Sequence, residues 1–126
     1  MIGTAADGDG FRTMRWLALF LFLLAGCSRG PQADLASIGE ARSLVAEWAL
    51  VNELAAKGQS NSIYTAAMHQ QLRQQLQTAA TSLKQPDSDY GAAISACLHL
   101  PDDTSPAELR LYGQTLKQIE DSLESA

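Results

Sequence analysis

What this chain lacks narrows its function before any motif is considered. It has only two histidines and two cysteines, so a metal site or a Cys/His nucleophile must come from very few groups. No run of β-branched residues occurs, and Leu and Ala predominate, which favours helices over strands. All three phenylalanines (Phe11, Phe20, Phe22) sit in the opening segment. Beyond it the aromatics are Trp48, Tyr64, Tyr90 and Tyr112, so the core must be built largely of Leu against Ala. The chain holds no glycine-rich phosphate loop, no dinucleotide fingerprint and no G-x-S-x-G elbow. Its formal net charge is −5, and its Lys and Arg form no cluster in sequence. Phosphate neutralisation needs grouped cations, so nucleic acid is a poor partner. The same sign repels anionic lipid headgroups.

The few reactive groups are badly spaced for chemistry. Cys97 and His99 are two residues apart, about 200° around a helix, and cannot readily meet as nucleophile and base or share a metal. Cys97 reads as a small buried hydrophobe and His99 as a surface or C-terminal helix residue. His69 has Leu72 and Arg73 at i+3 and i+4, without the helical spacing of metal ligands. Asp87/Asp89 and Asp102/Asp103 lie in turns near prolines, where Asp serves local backbone hydrogen bonds. The sequence therefore assigns no catalytic residue, no metal site and no cofactor.

What is present begins with an apolar run. Residues Trp16 to Ala25 read WLALFLFLLA, preceded by Arg12 and Arg15 and followed by Gly26-Cys27. At ~1.5 Å per helical residue the run is about 15 Å long, half of a bilayer's hydrocarbon core. It is too short for a comfortable span and has the build of an export signal. Leu24-Ala25-Gly26-Cys27 resembles the lipobox of bacterial lipoproteins. That resemblance implies a signal peptide at 1–26, cleaved by signal peptidase II, and a diacylglycerol on Cys27. The resemblance covers about the first 28 residues; residues 27–36 are then expected as a lipidated tether, and the residue pattern beyond it is read as a helical domain at 37–126. With Cys27 acylated, Cys97 would have no disulfide partner in its own chain. Ser28, in place of an aspartate, favours the outer membrane over the inner. Asp7-Gly8-Asp9-Gly10 is unlike a signal's basic start, so Met14 is an alternative first residue, although it would leave an unusually short signal.

After Cys27 the pattern is helical throughout. Ser28 to Ala36 contains Gly30-Pro31 and no periodicity, and reads as a flexible linker. Ser37-Ile38-Gly39-Glu40 fits a capping box opening helix one. Ile38, Ala41, Val45, Trp48, Val51 and Ala55 then form a stripe that Leu44 and Leu54 widen, and Gly58 ends it. Ser60-Asn61-Ser62 caps a second helix with Tyr64, Met68, Leu72, Leu76, Ala79 or Ala80, and Leu83 on one face, ended by Pro86. Its glutamines (Gln70 to Gln77) read as the wet face. Asp87 or Ser88 caps a shorter third helix through Tyr90, Ile94, Cys97 and Leu98. Ser105-Pro106-Ala107-Glu108 opens the last, with Leu109, Tyr112, Leu116, Ile119 and Leu123 in register. The expected fold is all-α: a small antiparallel bundle of about four helices, two long, one short and one C-terminal.

The functional expectation is a non-enzymatic, periplasm-facing envelope lipoprotein acting as an interaction or structural module. The membrane would be reached through lipid on Cys27. A protein partner is one further possibility, with Glu40, Glu47 and Glu53 giving helix one an acidic outer side against Arg42. The alternative is a carrier or chaperone for an apolar ligand, in a cavity lined by Tyr64, Met68, Tyr90 and Tyr112. Enzyme chemistry would require Cys97 exposed beside His69 or His99.

Overall fold

The computed structural model describes residues 30–126. Four α-helices follow a 3₁₀ turn at Pro31–Asp34: α1 (Leu35–Ala56), α2 (Ser62–Thr81), α3 (Asp89–Leu98) and α4 (Pro106–Glu124). No strand occurs among the described residues. Each helix packs on its neighbours in sequence, and α1 closes the ring by packing most extensively on α4. The start of α1 meets the α2–α3 loop through Asp34, and its end meets the α3–α4 loop through Asn52. Consecutive helices therefore run antiparallel, as short loops require.

Three helix starts follow directly from sequence. Asn61 Oδ1 accepts the Tyr64 N–H at 2.7 Å, and Ser88 Oγ accepts the Gly91 N–H at 3.2 Å. Ser105 Oγ accepts the Glu108 N–H at 3.2 Å, with Pro106 in the first turn. Each satisfies a donor that has no partner within its helix. Gly58 ends α1 at φ 70°, where Gln59 N–H reaches back to Leu54 O at 2.9 Å; a side chain at that φ would strain the backbone.

The first helix start differs from expectation. α1 opens at Leu35 rather than Ser37, and the 3₁₀ turn feeds it from Pro31. Ser37 lies inside the helix, so the Ser37–Glu40 box does not begin it. Residues 31–36, read as linker, belong to the helical body. The reason is Asp34: its carboxylate makes no bond to its own helix but crosses to the α2–α3 loop. Lys84 N–H donates to Oδ1 at 2.7 Å, Gln85 N–H to Oδ2 at 3.0 Å and Tyr90 Oη–H to Oδ2 at 2.7 Å. Likewise α2 ends at Thr81, several residues before Pro86, because the 82–88 loop must turn under Asp34.

The core is aliphatic, Leu, Ile, Val and Ala, around two buried aromatics, Trp48 and Tyr90. Ile38, Ala41, Val45, Trp48, Leu72, Leu76, Ile94, Cys97, Leu109 and Leu116 are almost fully buried. The expected stripes are buried or half-buried on every helix except at Tyr64, which is 51 % exposed; Ile63 beside it, outside the expected stripe, is 83 % exposed. The acidic outer side of α1 is also partly neutralised: Glu53 binds Arg110 at 2.7 Å and Lys57 at 3.5 Å. The Arg110 hydrogen bond and charge, with Lys57 behind them, hold the Glu53 carboxyl below its ordinary pKa.

Candidate functional site

The densest set of polar side chains lies at the end of the bundle opposite Asp34. It is a product of helical spacing. Trp48 and Asn52 are one turn apart on α1, and His69 and Arg73 are one turn apart on α2, so each pair shares a face. Both faces look onto the 99–105 loop. Trp48 Nε1–H donates to Asp102 O at 3.0 Å, and Asn52 Nδ2 donates to Asp102 O at 2.9 Å and Thr104 O at 2.7 Å. Arg73 donates through Nε to Asp102 Oδ1 at 2.6 Å, through Nη1 to Leu98 O at 3.0 Å and through Nη2 to Leu100 O. The last two acceptors are carbonyls at the C-terminal end of α3, where a cation is also favoured by the helix dipole. Its guanidinium carbon lies 5.0 Å from the centroid of the Trp48 ring, within cation–π range.

These bonds decide the state of His69. Both carbonyls held by Asn52 can only accept, so the amide nitrogen must face them and Oδ1 must face α2. His69 Nε2 lies 2.7 Å from that oxygen and therefore carries the proton. A neutral His69 has its lone pair on Nδ1. Beside it is a groove of about 280 Å³ lined by Asn52, Thr65, His69, Asp103, Thr104 and Pro106, with Ala55 and Ala56. No cysteine or serine lines the groove.

The other candidate groups are placed as follows. Cys97 is fully buried in the core, and burial pushes its thiol up to about 11. His99 is turned back on its own helix, Nδ1–H donating to Ser95 O at 2.7 Å, and does not meet Cys97. No group of three or more His, Cys, Asp or Glu able to hold a metal occurs among the described residues. Tyr64, Met68, Tyr90 and Tyr112 do not share a cavity. Tyr90 lines one groove with Ile119 and Leu123, Tyr112 another with Leu111 and Glu108, and Tyr64 and Met68 line neither. Asp102 is exposed in its turn, and its carboxylate is paired with Arg73. Leu24, Ala25, Gly26 and Cys27 lie outside the described residues.

Sequence reading missed Asn52, Arg73 and the loop they bind, because hydrogen bonds between distant segments leave no periodic trace. One signal was available: Arg73 is the one cation among the glutamines of α2. The chain matches no family model, no curated protein and no solved structure.

Proposed function

We propose that the protein is a lipid-anchored, periplasm-facing envelope lipoprotein whose helical body acts as a non-enzymatic interaction or structural module. One observation carries the reading: Cys27 stands directly after Leu24-Ala25-Gly26 at the end of a short apolar run with a basic flank. A thioether-linked diacylglycerol places two acyl chains in the bilayer, enough for stable anchoring where one is marginal. The body has features in keeping with that role. No described helix is long and apolar enough to cross a membrane. The polar cluster at the far end is spent on holding a loop rather than on a reacting group. Residence in the outer membrane is the favoured location, on the strength of Ser28.

The experiment is processing in the presence of globomycin, which blocks signal peptidase II. Treated cells should accumulate a precursor heavier by the 1–26 segment. An unchanged mass with and without the inhibitor would remove the reading.

A further inference from the structure

Cations scattered along the sequence are gathered by the fold. Of Arg42, Lys57, Arg73, Lys84, Arg110 and Lys117, the Lys and Arg of residues 30–126, three line one groove between α1 and α4. That groove, about 270 Å³, has Arg42, Arg110 and Lys117 on its rim, with Gln114, and Ala46, Leu109 and Gly113 beneath. In a chain of formal charge −5, no acidic side chain lines it. We propose that this groove binds a phosphomonoester, either free or borne on a lipid headgroup.

Three observations carry the assignment. First, the cations have donors to spare. Each is paired with one carboxylate set outside the groove: Arg110 with Glu53 at 2.7 Å, Lys117 with Asp121 at 2.8 Å, and Arg42 with Glu120 at 3.3 Å. A guanidinium has five N–H donors and an ammonium three, so these single contacts leave most unused. Second, Arg42 Nε is shut off from solvent and has no hydrogen-bond partner. An oxyanion drawing the guanidinium toward the groove gives that N–H an acceptor, and a buried donor left without one is a cost to the unliganded fold. Third, the floor is open where it need not be. Gly113 lies inside α4, where glycine is less stable than alanine. A Cβ there would meet only Val45 Cγ1, at 4.0 Å, an ordinary contact, so packing against α1 does not require glycine. What the missing side chain provides is space among the three cations.

Three cationic side chains on two helices can offer a donor to each terminal oxygen of a phosphomonoester, where a carboxylate has only two oxygens. The proposal does not depend on how the chain is attached to the envelope.

The test follows the backbone amides of Gly113 and Gln114 by NMR, with the full chain in zwitterionic micelles at fixed ionic strength. One arm titrates glycerol 3-phosphate; the other mixes short-chain phosphatidic acid into the micelles, with short-chain phosphatidylcholine as its control. Saturable shifts with glycerol 3-phosphate identify a free ligand, and shifts with phosphatidic acid alone identify a headgroup. Arg42→Gln and Lys117→Gln should each weaken binding about tenfold or more, the size of one charge-assisted hydrogen bond. Gly113→Leu keeps every charge but fills the floor, and should abolish binding while circular dichroism stays native. Lys84→Gln, a cation outside the groove, should leave binding unchanged. Absence of saturable shifts in both arms overturns the proposal. So does binding that survives Gly113→Leu, or that Lys84→Gln weakens as much as Arg42→Gln.

Discussion

Tyr90 Oη–H donates a 2.7 Å hydrogen bond to Asp34 Oδ2 inside the protein, joining the start of the helical body to its third helix. Asp34 is 1 % exposed, yet no Lys or Arg among the described residues forms an ion pair with it. It is held by three donors instead, two of them backbone N–H groups of the 82–88 loop. Burial is the largest single influence on its carboxyl and works upward. The bonds from Lys84, Tyr90 and Gln85, with the Lys84 charge, together outweigh it and keep the pKa below the ordinary value. Desolvation, then the bond to Asp34, push the Tyr90 hydroxyl in the opposite direction.

Stability should therefore fall in acid in part through this residue. A carboxyl whose folded pKa is lowered adds stability above its unfolded pKa, and loses it as pH drops through the folded value. Urea unfolding of the wild type should lose stability below about pH 4, with Asp34→Asn losing less over the same range. At neutral pH Asp34→Ala should cost about 1–3 kcal/mol, since it strands a buried hydroxyl and removes the acceptor of two part-buried N–H groups. Equal acid sensitivity in wild type and Asp34→Asn would remove Asp34 from this role.

The α3–α4 loop should depend on Asn52 more than on any residue within it. Asn52→Ala leaves Thr104 O without its side-chain donor and Asp102 O with Trp48 alone, and frees His69, at about 2 kcal/mol. Hydrogen exchange across 99–105 should speed up by one to two orders of magnitude, about the factor that energy implies. Arg73→Lys should also destabilise, because an ammonium cannot span Asp102, Leu98 and Leu100 together while stacking on Trp48.

Two glycines should respond to alanine with opposite sign. At Gly91 a Cβ would lie 2.1 Å from Pro86 O, a backbone atom that cannot step aside, so Gly91→Ala should cost about 1–3 kcal/mol or more. At Gly113 the added methyl meets only an ordinary contact and improves helix propensity, so Gly113→Ala should gain about 0.5–1 kcal/mol. Thermal melts of the two variants give the comparison. A matching loss at both positions would contradict the packing described between α1 and α4.

Cys97 should be chemically silent in the folded state. With no exposure and a thiol pushed up to about 11, it presents almost no thiolate at neutral pH. A thiol-specific reagent should label it only as fast as the protein opens, and at once in urea. Rapid labelling of the native protein would place Cys97 elsewhere than the core.

The bundle was legible because local rules and tertiary packing agree along most of it. Asn61, Ser88, Ser105 and Gly58 each act within one turn of chain, so sequence alone locates Ser105 and Gly58 and narrows the other two to Ser60–Ser62 and to Asp87 or Ser88. Ser37 fitted the same rule and failed, because Asp34 three residues earlier finds better partners some 50 positions away. The same holds for the Asn52–His69–Arg73 cluster and for the groove of Arg42, Arg110 and Lys117. Pairings across the bundle are set by which helix faces meet, which no spacing along one helix reveals. The Leu24–Cys27 motif is the reverse case: wholly legible in sequence, and outside residues 30–126.

The central claim is that Cys27 carries the lipid that holds this body to the envelope. Cells expressing the full chain should be grown with a radiolabelled or clickable fatty acid and the protein recovered under denaturing conditions. Label on the wild type and none on Cys27→Ser is the expected result; equal labelling of both, or none on either, would contradict it.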